Sequence, residues 1–346
     1  MTLDASTSSS VSDISPAASS GAALPAISGA QFAPLCEFRV FAATGADAPA
    51  FLHGQLTHDV TGLAPDAARF AGYCTAKGRL LATMVFWHAA PAENGDPVIQ
   101  GFLRADIAEA VIKKLSMFVL RAKVKFSFPE SQVWGVQAEA AARQTIVDAA
   151  GAVPETPWRM AHLPSGTWIA APVAESAARW WWIADDAQRE RALPALRDRA
   201  SEGTAAHFRM KDLQAGLPWI SAPTQDVFIP QTLNLDLVDG VSFTKGCYPG
   251  QEVVARSHYR GTVKRRMALG TLAGGAAADT DALRNIDIFD ARHPDEPCGR
   301  VLDAAGHGAV ALVFETTLAS LPEGDLRLGA ADGPVIHVQP LPYALA

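Results

Sequence analysis

Hydrophobic and polar positions divide the chain into short extended runs set between helical stripes. Glu37 to Ala43 reads as a strand, after which Gly45-Ala46-Asp47 opens a helix carrying Phe51, Leu52 and Leu56 at helical spacing. Arg69 to Thr75 and Arg79 to His88 form a hairpin, with Ala76-Lys77-Gly78 supplying a glycine where a tight turn needs positive φ. The second of these runs is apolar on both alternating faces, which predicts a buried strand. Pro97 to Arg104 is a further strand, and Ile107, Val111, Leu115 and Phe118 then line one stripe of an amphipathic helix. Lys123 to Phe128 and Gln132 to Gln137 read as short strands, and an Ala-rich helix covers Ala138 to Ala149. Trp158 to Ala161, Thr167 to Ala171 and Trp180 to Ala184 look extended, and a helix near Ala187 to Arg199 completes an α+β pattern.

Past Arg265 the pattern changes to short strands separated by Gly, Asp and Pro turns, at Met267 to Leu272, Ile286 to Asp290, Gly299 to Leu302, Ala309 to Phe314 and Val335 to Val338. That spacing predicts a small β-barrel over residues 265–346, behind an α+β region over residues 34–264 whose two subdomains interleave. Residues 1–33 are dominated by Ser, Ala, Gly and Pro and contain no aromatic before Phe32, so they read as a disordered tail. A chain of 346 residues exceeds what one core organises at about 100–200 residues per domain, which agrees with this division.

Composition removes several classes of function. No Lys or Arg precedes Arg39, so the start lacks the basic features of a secretory signal or an organelle transit peptide, and a cytoplasmic protein is expected. No run approaches the roughly 18 apolar residues of a membrane span. A net charge of −7 disfavours direct binding to nucleic acid, although Arg256, Arg260 and Lys264 to Arg266 form a basic stretch that suits an anionic ligand or an ordinary solvated face. Cys36, Cys74, Cys247 and Cys298 lie far apart, without a Cys-x-x-Cys pair, and His53 and His58 are five apart, so neither a disulfide framework nor a metal site is expected.

The segment from Phe228 to Lys264 concentrates the candidate chemistry. In Lys245-Gly246-Cys247-Tyr248-Pro249-Gly250-Gln251-Glu252, Pro249 suits the first position of a helix that Gly250 to Ser257 continues. Cys247 would then precede a helix N-terminus, where backbone N–H groups, the helix dipole and Lys245 all favour a thiolate. A small cysteine kept among glycines for packing is the plain alternative. Glu252 and Arg256 are spaced for a helical ion pair, and they would act on a ligand only if they face a pocket.

Phe228 to Asp236 and Gly240 to Arg256 resemble the motif of the YgfZ family of folate-binding proteins, relatives of the glycine-cleavage aminomethyltransferase. Gly45-Ala46-Asp47, Phe51 to Val60, Ala76 to Arg79 and the ending Pro340 to Tyr343 are similar to family segments too, so the resemblance runs from about residue 35 onward. It implies the multidomain aminomethyltransferase-like fold, a bound tetrahydrofolate or one-carbon derivative, and an accessory role in assembly or repair of iron–sulfur enzymes. Support of tRNA modification would follow indirectly, through iron–sulfur proteins or their assembly machinery. Under this resemblance Asn234, Asp236, Gln251 and Glu252 are candidates for the pterin edge. Tyr248, Phe38 and Phe208 are candidates for stacking, and Arg256, Arg260 or Lys77 for the anionic tail. Family positions corresponding to Phe38 and Phe208 can carry Trp, so these two also read as plain core residues, and Lys77 as part of a solvated turn. Cys247, with Lys245 beside it, would work at the pocket rim. Two other functions stay open: a one-carbon transferase with Asp236 as base, and a folate-sensing scaffold without catalysis.

Overall fold

The computed structural model describes residues 29–174, 177–259, 263–273, 279–307, 309–321 and 324–345. Arg260 and residues 1–28 of the expected tail lie outside the described residues. The chain first lays down β1 (Ala30–Pro34), β2 (Phe38–Thr44) and the short helix α1 (Ala48–His53). β3 (Ala68–Cys74), β4 (Leu80–His88), β5 (Val98–Arg104), α2 (Ala105–Ser116) and β6 (Lys125–Ser127) follow. Next come β7 (Gln132–Ala138), α3 (Arg143–Ala150), β8 (Met160–Leu163), β9 (Gly166–Ala170), β10 (Ala178–Ala184) and α4 (Asp186–Arg197). β11 (Ser201–Glu202), α5 (Ala205–Gln214) and α6 (Gln251–Tyr259) complete the α+β part. The last run is β12 (Arg265–Leu272), β13 (Asp287–Asp290), β14 (Gly299–His307), β15 (Ala309–Thr317), β16 (Leu326–Leu328) and β17 (Ile336–Gln339).

These strands make three sheets. The first has the order β3-β4-β5-β2-β6 and the second β11-β1-β7-β10-β9-β8. The chain therefore starts in the second sheet with β1, crosses to the first with β2, and returns with β7. The third sheet, β16-β13-β14-β15-β12-β17, is nearly closed, because an antiparallel bridge between Arg327 and Val335 brings its two edges together. The expected α+β class with a C-terminal barrel is what forms.

Differences from the sequence pattern have physical causes. Ala30–Pro34 is a strand with Phe32 only 1% exposed, so the disordered reading of residues 1–33 gives way at Ala30. Helix α1 stops at His53 because Leu56 bridges to Tyr73 and the Thr57 N–H donates to the Gly72 carbonyl, which pulls the chain onto the edge of the first sheet. Helix α5 has no clean apolar stripe, since Lys211, Asp212 and Gln214 are buried along with Phe208 and Leu213.

A shared core holds the first sheet, the segment Leu213 to Leu235 and the inner faces of β12, β14 and β15. At its centre Phe38, Phe102, Trp181 and Trp219 make edge and stacked contacts with ring centroids 4.6–6.4 Å apart. Phe38 and Phe208 both belong to this core.

Candidate functional site

Lys245, Tyr248 and Gly250 around Cys247 are pinned, while Cys247 itself is exposed. Thr57 begins the pinning. Its hydroxyl donates to the Gly240 carbonyl at 2.6 Å and accepts the Gly72 N–H at 2.7 Å, and the Ser242 N–H reaches the Thr57 carbonyl at 2.9 Å. The loop leading to Lys245 is thus stitched to the end of α1 and to β3. Lys245 is buried, and its ammonium donates to the His53 carbonyl and, at 2.7 Å, to the Leu56 carbonyl, with its Nζ 4.8 Å from the centre of the buried Tyr248 ring. Those carbonyls lie at the C-terminal end of α1, where a cation also meets the negative end of the helix dipole. Burial lowers the Lys245 pKa to about 8 against the opposing charges of Asp59 and Cys247.

Beyond Cys247, two glycines meet. Gly250 has φ +81° and Gly78, in the hairpin turn, has φ +73°. A Cβ on Gly250 would stand 2.5 Å from the Thr75 carbonyl oxygen and 2.6 Å from the Gly78 Cα. The Ala76-Lys77-Gly78 turn is therefore the platform on which the Cys247 loop rests, with Lys77 itself exposed. Helix α6 starts at Gln251, two residues later than Pro249 suggested, because Gly250 occupies the left-handed region. Replacing Gly250 by alanine is expected to cost about 2–4 kcal/mol, the sum of left-handed backbone strain and an overpacked contact. Denaturant unfolding of the purified variant measures this.

His53 closes the other side. A Cβ on Gly246 would lie 3.5 Å from His53 Nε2, so the ring edge faces the loop one residue before Cys247. The other ring nitrogen, Nδ1, is 2.9 Å from Asp59 Oδ1, which also accepts from the Thr61 hydroxyl at 3.0 Å and the Gly62 N–H at 2.9 Å. Partial burial raises the Asp59 pKa, but those donors and the His53 charge outweigh it and hold the carboxylate below its ordinary value. The remaining cysteines differ in kind: burial pushes the Cys74 thiol up to about 12, Cys298 is half-buried and Cys36 is exposed on a different loop.

A second feature is a small, partly open cleft of about 10 Å3, the size of a single water. Gln137 from β7, Arg179 from β10, and Lys211 and Gln214 from α5 line it. Among the described residues the buried Oε1 atoms of Gln137 and Gln214 have no hydrogen-bond partner. Behind them Arg179 and Asp212 form a buried ion pair at 2.5 Å, and the Trp219 indole N–H donates to the other Asp212 oxygen at 2.9 Å. Burial drives the Asp212 pKa up, with Arg179 and the Trp219 N–H opposing. Phe208 lies one turn before Lys211 and packs flat against Gly135, where a Cβ would come within 2.3 Å of its ring. Phe38 sits one layer deeper, 4.6 Å from the Trp219 ring.

The structure brings Lys245, Cys247 and Tyr248 together, with the Gln251 N–H donating to the Tyr248 carbonyl at 3.2 Å, and sets Asn234, Asp236, Phe38 and Phe208 elsewhere. Asn234, in the left-handed conformation with φ 58°, donates to the Met267 carbonyl at 2.8 Å and accepts the Met267 N–H at 3.3 Å. Asp236 is paired with Arg266 at 2.7 Å. Both therefore face strand β12 of the barrel. Gln251 is half-buried, and Glu252 and Arg256 are exposed on α6.

Sequence reasoning passed over His53, Asp59, Gln137, Arg179, Lys211 and Gln214. Arg179 beside three tryptophans, and Lys211-Asp212 inside an otherwise apolar helix, carried a signal, since charges rarely stay in such settings without a partner. His53 and Asp59 carried none at helical spacing, because they meet only after the chain turns at Gly54.

No family model matches the chain. It is 32% identical over 316 residues to the tRNA-modifying protein YgfZ of Vibrio vulnificus (strain CMCP6), covering 87% of this chain and 89% of that one. It is 30% identical over 332 residues to the protein of the same name from Pectobacterium carotovorum subsp. carotovorum (strain PC1), covering 94% and 96%. Among solved structures, glycine cleavage system aminomethyltransferase T from Bartonella henselae superposes with a TM-score of 0.70 at 16% identity, covering 91% of this chain and 86% of that one. The last likeness establishes a shared fold.

Proposed function

The chain belongs to the YgfZ family, and on that premise we propose that it is a tetrahydrofolate-binding accessory protein for the assembly or repair of iron–sulfur enzymes. It would act in the cytoplasm on iron–sulfur proteins or their assembly machinery, and tRNA modification would depend on it through those clients. The observation that carries this reading is the exposed Cys247 thiol, held on a loop whose neighbours Lys245, Tyr248 and Gly250 are all fixed. A cysteine kept for packing would be buried. A pinned loop that presents sulfur to solvent suits contact with a cluster, a persulfide or a partner thiol.

The folate part rests on the family and on the aminomethyltransferase-like fold, and the cleft offers one candidate contact for it. Two buried amide oxygens without partners call for a ligand rich in N–H donors, as the edge of a pterin is. As it stands the cleft has room for about one water, far below the roughly 300–1,000 Å3 of a site that encloses a drug-sized ligand, so a ring edge could enter only if the side chains lining it moved apart. Gln137 and Gln214 would then meet the ring edge. When bound, tetrahydrofolate supplies nitrogens that take up a one-carbon unit.

Titrating the purified protein with tetrahydrofolate tests this reading, with iron and sulfide measured before and after anaerobic reconstitution. Gln214→Ala is expected to raise the Kd about tenfold, the scale of one buried hydrogen bond, without lowering the Tm. An unchanged Kd would remove the cleft from the folate site. The aminomethyltransferase-like fold favours a one-carbon transferase as the second reading, and turnover of a methylamine donor with tetrahydrofolate would establish it.

A further inference from the structure

We infer that the turn Met117-Phe118-Val119-Leu120, at the end of α2, is a docking surface for an anionic lipid bilayer, which the protein meets at its surface and does not cross. Among the described residues four large apolar side chains are exposed, and three of them are Met117, Phe118 and Leu120, at 64%, 52% and 87%. A contiguous apolar cluster of this kind marks a surface that another body covers. The apolar stripe of α2 predicts a buried Phe118; the helix instead ends at Ser116 and leaves the ring outside. Aromatic residues just beyond the turn are treated differently, since Phe126 meets Phe51 with ring centroids 6.0 Å apart and Phe128 lies 4.2 Å beneath the Arg39 guanidinium.

The turn is held in place, so this exposure is not the fraying of a helix end. Its N–H groups bond back in succession, Met117 to the Lys113 carbonyl, Phe118 to that of Leu115 and Val119 to that of Ser116, at 3.0–3.2 Å. The chain leaving the turn is tied to the residue before α1: the Lys123 N–H donates to Asp47 Oδ2 at 2.7 Å, and the Asp47 N–H to the Lys123 carbonyl at 3.3 Å. A Cβ on Gly45 would stand 2.0 Å from that same carbonyl oxygen, so the return passes directly over bare backbone.

Charge identifies the occupant. From Ala110 to Pro129 the chain carries Lys113, Lys114, Arg121, Lys123 and Lys125 and no Asp or Glu, in a protein whose net charge is −7. None of these five forms an ion pair among the described residues, and all but Lys114 are exposed. Two stand on the last turn of α2 and three on the return toward β6, so cations flank the apolar turn on both sides. Their alkyl stems can lie along apolar surface while the charged heads reach phosphates. A protein groove that reads a helix takes apolar side chains three and four positions apart, whereas here three lie within four successive residues of a turn. A fluid interface accepts such a convex shape, and the basic flanks direct it to anionic headgroups. No helix among the described residues is long and apolar enough to cross a membrane, so the contact is with the surface alone. It uses none of the residues of the Cys247 loop or the cleft.

The test is co-sedimentation of the full-length protein with vesicles of phosphatidylcholine alone and with vesicles in which about 40% of the lipid is phosphatidylglycerol. Wild type is expected to pellet with the second and not with the first, and raising the salt from about 0.05 M to about 0.5 M should release it. Phe118→Ser with Leu120→Ser and, separately, Lys123→Glu with Lys125→Glu should each weaken binding about tenfold or more, with an unchanged Tm because these side chains are exposed. Should the first pair lower the Tm, Leu120→Ser alone, at the most exposed position, replaces it. Absence of pelleting with the anionic vesicles, equal pelleting with both kinds, or unchanged binding in either variant overturns the inference. So do two other occupants: a wild-type dimer that Phe118→Ser with Leu120→Ser turns into a monomer in light scattering, or salt-sensitive binding to poly-glutamate by a protein that ignores both kinds of vesicle.

Discussion

Under the proposed function, Cys247→Ala is expected to lower the activity of dependent iron–sulfur enzymes by roughly 100-fold or more, the scale on which a bond-exchanging or proton-exchanging group is lost, and to leave tetrahydrofolate affinity within about twofold of wild type. The two halves of this expectation come from different parts of the molecule. Sulfur stands on the loop between Lys245 and Gly250, whereas the unpartnered amide oxygens lie in the cleft between β7, β10 and α5. Alanine at an exposed position removes no buried contact, so the Tm should hold. Client activity in extracts of a strain carrying the variant, set beside folate titration of the purified protein, separates the roles. Full client activity with normal folate binding would end the thiol mechanism.

The same loop gives a direction in pH. Lys245 is depressed to about 8 from an ordinary 10.5, so its charge is present at pH 7 and drains away above pH 8. Any activity that needs a cation beside the thiolate should therefore decline above that point. The stability term has the opposite sign. A buried ammonium whose folded pKa lies below the unfolded one costs stability at lower pH, and that cost fades as pH rises from about 8 to 10.5.

Much of this was legible because local pattern and local chemistry coincide. The hairpin around Ala76-Lys77-Gly78, the apolar strand before His88, the stripe from Ile107 to Leu115 and the short barrel strands depend on periodicities that the sequence displays. The loop at Cys247 was legible for another reason: glycine, proline, lysine and cysteine crowd together where no ordinary helix or strand would place them. What stayed hidden depends on contacts between distant segments. The turn at Gly78 reads as a solvated bend until Gly250 is found resting on it. His53 and Asp59 look like scattered polar residues until α1 ends and the chain doubles back. The cleft joins β7, β10 and α5, which lie up to 77 positions apart between Gln137 and Gln214, and no spacing rule spans that distance.

Asp236 was read as a base or as a partner for the pterin edge, and its surroundings suggest a sharper experiment. Its side chain and that of Arg266 are only 8% and 5% exposed, and Arg266 Nη1 also donates to the Gln231 carbonyl at 2.9 Å. Beside this pair Asn234 grips Met267, so together they join the segment after α5 to strand β12 of the barrel. Asp236→Ala strands a buried guanidinium and is expected to cost about 3–5 kcal/mol in denaturant unfolding, with a matching fall in Tm. Replacing both partners, as Asp236→Leu with Arg266→Met, removes the uncompensated charge and should return stability close to wild type, since a buried pair seldom outweighs well-packed apolar side chains of similar volume. Client support and folate affinity measured in the double variant then decide between the roles. If Asp236 works only as a clamp, both recover along with stability. If it serves chemistry or ligand binding, the double variant folds as well as wild type and stays inactive, because stability has been restored without the carboxylate.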